Sequence, residues 1–267
     1  RYETRYDFGE VLVIGSGAAG IAAALSAAAA GGRVVLVEQD LRLGGGLLSD
    51  AAQSAWLNDR LAEIDAAKNI QVCTHTGAVG VYDDNQVVLV ERRDHRRPDA
   101  AKGQARHVLT MMQAKAIVYA TGAIERPLVF ANNDRPGVML ASGLRTYLNR
   151  FGVAPESAVI ATNNDSAYDT ARDLAAAGVE VTLVDSRNDM ALAKRNDFRV
   201  LTGTVVANVQ GRGAVYGAAL QGATAETVRC DAVGVSGGWS PAVHLTSHGG
   251  IKPKYDAATA GFVPGGF

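Results

Sequence analysis

The chain has 267 residues, of which 48% are hydrophobic, and its formal net charge is −1 at pH 7. This composition is typical of a globular protein with a hydrophobic core, and the small charge excludes overall electrostatic attraction to nucleic acid or to an anionic membrane. The two cysteines, Cys73 and Cys230, have neither the spacing of a redox C-x-x-C pair nor that of metal ligands. We therefore expect reduced, unreactive thiols, no metal site and a cytoplasmic location.

The sequence contains no predicted membrane segment. The alanine-rich run from Ile21 to Ala30 is too short and too weakly apolar to cross a bilayer, and the N-terminus has no signal-peptide pattern. Neither a membrane nor a nucleic acid is therefore expected as a partner. The chain lacks an initiator Met and ends in Pro264-Gly265-Gly266-Phe267, so we expect it to be part of a longer polypeptide.

The first predicted unit is a strand, a glycine-rich turn and a helix. An apolar run from Val11 to Ile14 is followed by Gly15, Gly17 and Gly20 and then by the alanine-rich run. In this G-x-G-x-x-G pattern the first glycine permits the turn, the second lets the backbone approach a pyrophosphate, and the third lets the helix pack closely on its strand. The N–H groups at the start of the helix attract phosphate. The pattern predicts a dinucleotide site.

The next predicted strand ends in a carboxylate. It runs from Arg33 to Glu38, and Glu38 lies about 20 residues after the glycines, where it accepts hydrogen bonds from a ribose diol. Gly44, Gly45 and Gly46 follow in a loop whose position favours contact with the cofactor. The alternative interpretation of this loop is a flexible connector.

The chain then alternates between helical and strand patterns. Trp56, Leu57, Leu61 and Ile64 have helical spacing, and we expect all four in the core. Short alternating strands from Gln71 to Leu109 predict a small antiparallel meander. A further apolar strand ends in Ala120-Thr121-Gly122, at the edge of a parallel sheet where ligands bind.

A second copy of the opening unit follows, without its glycines. It consists of the strand from Ala158 to Ala161, a helix from Ser166, and a strand that ends at Asp185. Aligning Asp185 with Glu38 places Thr162, Asn164 and Ala167 where the first unit has its three glycines. A side chain at Asn164 blocks the approach to a pyrophosphate, and the neighbouring Asp165 repels it. We therefore expect that this unit keeps the fold and has lost the nucleotide.

The two tandem dinucleotide-type units, with Gly15 to Gly20, Glu38 and Ala120-Thr121-Gly122, resemble the two-domain flavoproteins of the pyridine nucleotide-disulfide oxidoreductase family. The resemblance implies an α/β fold with two Rossmann-like, FAD/NAD(P)-binding domains of the glutathione-reductase type. The second domain is inserted in the first, and each has a parallel sheet plus a small antiparallel meander. We predict a first domain at residues 1–125 plus 240–267 and a second domain at residues 126–239.

A more specific resemblance, to the alpha subunit of heterotetrameric sarcosine oxidases, rests on three segments: Ala120 to Phe130, Asn133 to Met139 and Gly237 to Pro241. It implies that the chain is an internal region of such a subunit, with beta, gamma and delta subunits as partners. It further implies a non-catalytic NAD at the first glycine motif, FAD and FMN elsewhere in the assembly, and tetrahydrofolate on a domain outside this chain. Related subunits occur in opine oxidases, proline dehydrogenases and hydrogen cyanide synthase, and the residues do not separate these substrates.

Motif and resemblance together define the candidate cofactor-binding residues. They are Gly15, Ser16, Gly17, Ala18, Ala19, Gly20, Glu38, Gln39, Gly44, Gly45, Gly46, Leu47, Ala78, Val79, Ala120, Thr121 and Gly122. Two alternatives remain open. One is an FAD-dependent enzyme that reduces a small molecule with NADH, against which Asn164 argues. The other is a structural scaffold with an empty first site, against which the three glycines and Glu38 argue.

No catalytic residue is predicted. His75 and His107 have no partner at ligand spacing, and His244 and His248 are spaced i, i+4, which requires a helix that the surrounding Pro241 and Gly249 disfavour. The charge run from Arg92 to Arg97 is expected to be a solvated loop, to which we assign no function.

Overall fold

The structure is a computed structural model that describes residues 2–93, 105–188 and 197–266. It divides into two compact units. The first unit comprises Arg1–Ala123 and Pro241–Phe267, and the second comprises Ile124–Ser240. The second unit is therefore an insertion in the first. The charge run at Arg92 to Arg97 lies outside the described residues from position 94 onwards.

Strands alternate with few helices along the chain. The strands are β1 (Tyr2–Ile14), β2 (Val34–Val37), β3 (Ile70–Cys73), β4 (Thr76–Tyr82), β5 (Gln86–Arg92), β6 (His107–Tyr119), β7 (Ala123–Glu125), β8 (Val138–Leu140), β9 (Ser157–Thr162), β10 (Glu180–Asp185), β11 (Arg199–Thr202), β12 (Thr204–Gly211), β13 (Val215–Gly222), β14 (Thr227–Arg229), β15 (Ala232–Ser236), β16 (Trp239–Pro241), β17 (Lys254–Asp256) and β18 (Gly261–Val263). The α-helices are α1 (Ala18–Ala29), α2 (Ser54–Ala66), α3 (Ala141–Phe151), α4 (Ser166–Ala176) and α5 (His244–His248). Short 3₁₀ turns span Gly45–Ser49, Ala51–Gln53 and Asp83–Asn85.

The first unit is built on a six-stranded sheet in the order β3-β2-β1-β6-β5-β4. The pairs among β3, β2, β1 and β6 are parallel, whereas β5 pairs antiparallel with both β6 and β4. The predicted meander is therefore joined to the parallel sheet. The reason is the length of β6, whose 13 residues pair with β1 on one side and with β5 on the other.

The centre of this sheet is hydrophobic on both faces. All four residues of β2 are fully buried, because Val34 and Leu36 pack towards α1 and α2 while Val35 and Val37 pack towards β4 and β5. Such continuous apolar runs are typical of parallel strands that are covered on both sides. In α2, Leu57 and Ile64 are buried as predicted. The prediction for Trp56 is wrong, because its side chain lies on the outer face of the helix and is 38% exposed.

The second unit contains a five-stranded parallel sheet in the order β11-β10-β9-β15-β8. Helices α3 and α4 pack on one face of it, and a separate antiparallel sheet, β12-β13-β14, packs on the other. The α/β fold with a parallel sheet and an antiparallel meander in an inserted second domain is therefore confirmed.

Helix α3 packs closely on β15 at Gly234. A Cβ atom at Gly234 would lie 2.7 Å from Cδ1 of Ile160 and 2.8 Å from Cδ1 of Leu144. We predict that Gly234→Ala lowers the free energy of unfolding by about 1–3 kcal/mol, because the core cannot accept the added methyl group without shifting. The measurement is denaturant-induced unfolding.

Gly143, in the first turn of α3, provides the matched control. A Cβ atom there would meet only Sδ of Met139, at 3.9 Å. Gly143→Ala should therefore raise the free energy of unfolding by about 0.5–1 kcal/mol, since alanine costs less backbone entropy in a helix. Equal effects of the two substitutions would contradict this account of the packing.

Candidate functional site

The glycine turn of the first unit connects β1 to α1. Gly15 has a φ of +99°, and a Cβ atom on it would overlap with the carbonyl oxygen of Ala120, at the end of β6. A Cβ atom on Gly20 would overlap with the carbonyl oxygen of Gly15. Gly17 is different, because a Cβ atom there would meet nothing within 4 Å. Two of the glycines thus serve the close packing of strand and helix, and the third leaves open space in front of the helix.

Helix α1 begins without a side-chain cap. Its N-cap residue is Gly17, no side chain accepts a hydrogen bond there, and no acidic residue lies in the first turn. Ala18 and Ala19, which follow, are exposed. The backbone N–H groups in the first turn of α1 and the positive end of the helix dipole are therefore available to an anion.

Ser16 connects the turn to two other segments. It is fully buried, and both its backbone N–H and its hydroxyl donate to Oε2 of Glu38, at 3.0 Å and 2.5 Å. The same hydroxyl accepts from the backbone N–H of Gly44, at 3.1 Å, and the carbonyl oxygen of Ser16 lies 3.0 Å from that N–H. The glycine turn, the carboxylate and the second glycine loop therefore form one hydrogen-bonded unit.

The second glycine loop lies against the first. Gly44 and Gly45 both have positive φ angles, of +131° and +53°, which are accessible mainly to glycine. A Cβ atom on Gly45 would lie only 3.2 Å from Cα of Gly17. Gly46, by contrast, is exposed and has open space where its Cβ would be. Leu47 is partly buried and packs on the core beneath α1. The loop is ordered by these contacts, which disfavours the flexible connector.

Glu38 stands at the end of β2 and is 6% exposed. Its Oε1 atom accepts from the backbone N–H of Asp40, at 2.8 Å, and its carbonyl oxygen accepts from Thr76, at the start of β4. Gln39 is exposed beside it. Strand β4 continues through Ala78, which packs on the core, to Val79, which is 54% exposed. Gln39 therefore follows Glu38 directly in the chain, and Ala78 and Val79 lie on β4, the strand that begins at Thr76 beside Glu38.

The segment Ala120-Thr121-Gly122 is anchored to the C-terminal part of the first unit. The hydroxyl of Thr121 donates to the carbonyl oxygen of Ala242, at 3.0 Å, and the N–H of Ala242 donates to Gly122, also at 3.0 Å. Ala120 faces the glycine turn. Ala120 therefore lies against the glycine turn, and the Thr121 hydroxyl has a partner within the chain.

In the second unit, side chains fill the position that is open in the first. The side-chain oxygen of Asn164 accepts from the N–H and the hydroxyl of Ser166, at 3.1 Å and 2.6 Å. Its amide nitrogen donates to the carbonyl oxygen and the hydroxyl of Ser236, both at 3.1 Å. Asn164 thus accepts from the first N–H group of α4 and ties the start of this helix to the end of β15.

An ion network occupies the rest of this position. Arg187 forms salt bridges with Asp165 and Asp185, each at 2.7 Å. The hydrogen bond to Asp185 is the main reason that the pKa of Arg187 is raised, so the guanidinium stays charged. The hydroxyl of Tyr168 also donates to Asp185, at 2.9 Å, and burial together with this bond raises the pKa of Tyr168. The carboxylate that corresponds to Glu38 is therefore saturated by neighbouring side chains.

The two cysteines are further candidates for reactive side chains. Both cysteines are free thiols. Burial raises the pKa of Cys73 and raises that of Cys230 to about 11, so neither thiol is ionised at neutral pH. Within the described ranges, no three His, Cys, Asp or Glu residues are grouped in a way that could hold a metal ion. No helix among the described residues combines the length and the apolar character needed to cross a membrane.

The expectation of no helix at His244 and His248 is wrong. Both lie in the five-residue helix α5, which starts after Pro241 and ends before Gly249, so neither flanking residue interrupts it. The two side chains are exposed.

Sequence reasoning missed the bridging role of Ser16, which the motif treats as one of three variable positions. It also missed that Asp40 and Thr76 hold Glu38 through their backbones. No pattern in the sequence marks these contacts, because Ser16 and Glu38 are 22 residues apart and the burial of the hydroxyl, which requires hydrogen-bond partners, is decided by the fold.

The chain is similar to oxidase subunits of known name. It is 41% identical over 275 residues to the alpha subunit of the sarcosine oxidase of Rhizobium meliloti (strain 1021), a match that covers 99% of this chain and 28% of that protein. It is 30% identical over 201 residues to one subunit of the opine oxidase of Agrobacterium tumefaciens (strain Ach5), covering 67% of this chain and 37% of that protein. The chain therefore spans less than half the length of these curated relatives.

The chain is also similar to solved structures in its fold, and it matches a family model over most of its length. The crystal structure of L-proline dehydrogenase from P. horikoshii superposes with a TM-score of 0.73 at 21% identity, covering 98% of this chain and 48% of that chain. Residues 9–258 match the model of the pyridine nucleotide-disulphide oxidoreductase family. The glycine turn, the buried carboxylate and the fold all agree with this family match. The chain is a member of the pyridine nucleotide-disulphide oxidoreductase family.

Proposed function

We propose that the first unit binds NAD at the turn from Gly15 to Gly20 and does not turn it over, as part of the alpha subunit of a sarcosine oxidase-type assembly. The observation that carries this proposal is the contrast between the two units. The position in front of α1 is open at Gly17, whereas the corresponding position in front of α4 contains Asn164 and the Arg187 ion network. One chain would thus hold one dinucleotide.

The residues of the first unit fit such a ligand. The uncapped start of α1 and the open space at Gly17 and Gly46 suit a pyrophosphate, and the Glu38 carboxylate suits a ribose hydroxyl. Gln39, Leu47, Ala78 and Val79 would complete the site on the adenosine side. Bound NAD supplies a nicotinamide that can accept a hydride. The hydrogen bonds from Ser16 to Glu38 would hold this carboxylate next to the glycine turn.

The same chain offers little support for turnover. Disulfide reduction requires a thiolate, and burial keeps the two thiols protonated. A second nucleotide that delivers a hydride would need the space that Asn164 occupies. We therefore assign the NAD a structural role in this chain.

The proposal extends to the wider assembly, and the names of the relatives and the resemblance support it. Sarcosine oxidation would be carried out by the whole assembly, with FAD and FMN held mainly by the beta subunit or at its interface. Tetrahydrofolate would bind a domain outside this chain, and the beta, gamma and delta subunits would be the partners. Two reduced thiols fit the expected cytoplasmic location. An opine oxidase, a proline dehydrogenase and a hydrogen cyanide synthase are the related alternatives for the substrate.

We predict that the complete polypeptide, purified without partner subunits, releases one equivalent of NAD on denaturation. The measurement is chromatography and mass spectrometry of the released nucleotide, together with a visible spectrum before denaturation. Release of FAD together with oxidation of NADH would contradict the proposal and favour the flavin enzyme. Absence of any nucleotide, even after incubation with NAD, would favour the structural scaffold.

Gly17→Val should abolish retention of the nucleotide, with a loss of more than about tenfold, and leave the melting temperature almost unchanged. The reason is that the new side chain enters open space that the pyrophosphate would occupy. Ala29→Val, at an exposed position in the last turn of the same helix, is the control and should retain the nucleotide. Normal retention by Gly17→Val would show that the nucleotide lies elsewhere.

The chain should bind NAD more than about tenfold more tightly than NADP. The carboxylate of Glu38 would lie beside the ribose, so the 2′-phosphate of NADP brings a like charge close to it. Titration of the nucleotide-free protein with each dinucleotide measures the ratio. Similar dissociation constants would show that Glu38 does not face the ribose.

A further inference from the structure

The carboxylate of Glu38 has few hydrogen-bonding positions left. A carboxylate offers about four lone pairs, two on each oxygen. On Oε2, both are used by Ser16, one by its backbone N–H at 3.0 Å and one by its hydroxyl at 2.5 Å. On Oε1, one is used by the backbone N–H of Asp40, at 2.8 Å. Among the described residues no further donor reaches this carboxylate, so a single lone pair of Oε1 remains.

The bond from the Ser16 hydroxyl is held in place from the other side. The oxygen of the Ser16 hydroxyl accepts a hydrogen bond from the N–H of Gly44, at 3.1 Å. The single hydrogen of the hydroxyl is therefore directed to Glu38. Ser16 is fully buried and Glu38 is 6% exposed, so water cannot readily replace either group. A ligand would have to break a buried hydrogen bond in order to use Oε2, which is unfavourable.

We propose that Ser16 restricts Glu38 to one hydroxyl of the adenosine ribose, so that the site distinguishes the 2′-hydroxyl from the 3′-hydroxyl instead of binding both through the carboxylate. Ser16 is then a specificity-determining residue that acts through Glu38 without touching the ligand. This inference rests on the proposed function, since it concerns the same nucleotide site. It applies to every ligand that carries an ADP group, and therefore to NAD and FAD alike.

The test compares ADP with its 2′-deoxy and 3′-deoxy analogues. The complete polypeptide is freed of retained nucleotide, and the three dissociation constants are measured by calorimetric titration. We expect one analogue to bind about 10- to 100-fold more weakly than ADP, as is typical for the loss of a hydrogen bond to a charged group, and the other to bind within about threefold of ADP. Comparable losses for both analogues, or no loss for either, would overturn the inference. No binding of ADP would contradict the nucleotide site itself.

Two substitutions assign the discrimination to these residues. Glu38→Gln should weaken ADP binding and bring the two analogues within about threefold of each other. Ser16→Ala frees one lone pair of Oε2, so the ratio between the analogues should fall at least about threefold even if overall affinity also falls. Ser26→Ala, at an exposed position on α1, is the matched control and should leave the ratio unchanged. If the ratio of the two analogues' dissociation constants is the same in Ser16→Ala as in the unmodified protein, the role of Ser16 is overturned. If Ser16→Ala fails to fold, the comparison of the analogues on the unmodified protein still tests the inference.

Discussion

The first unit depends on the close approach of helix α1 to the turn that precedes it. Gly20 lies so near the carbonyl oxygen of Gly15, and Gly15 so near that of Ala120, that no side chain fits at either glycine. This contact fixes where the helix begins relative to the ends of β1 and β6. The N-terminus of α1 therefore lies at the carboxyl end of β1, and the position of the candidate site follows from the backbone alone.

The two units show how one topology acquires opposite properties at its ligand edge. The first leaves α1 uncapped and free of acidic residues in its first turn. The second places Asp169 in the first turn of α4, satisfies its start with Asn164, and pairs Asp165 with Arg187. Anion binding requires donors without partners. In the second unit the first N–H group of α4 already donates to Asn164, and acidic side chains lie beside it, so the start of α4 suits an anion less well than the start of α1.

The carboxylate at the end of each second strand is buried in both units, and its neighbours decide its role. Glu38 is held by Ser16 and by the backbone of Asp40, which leaves capacity for a ligand. Asp185 receives a bidentate arginine and the Tyr168 hydroxyl, so its hydrogen bonding is complete. A buried carboxylate is stable only when such donors surround it. Glu38 therefore keeps a hydrogen-bonding position that is already filled on Asp185.

The sequence by itself determined the fold class, because the glycine spacing, the apolar runs such as β2 and the repeat ending at Asp185 depend on local periodicity and turn chemistry. It also indicated that the second unit has Thr162, Asn164 and Ala167 where the first unit has its three glycines. Only the tertiary structure decided what long-range contacts control: that β6 joins the meander to the parallel sheet, that Trp56 faces outward, and that Ser16 bonds to Glu38. Hydrogen bonds between residues distant in the chain leave no periodic pattern, so no local pattern could have revealed them.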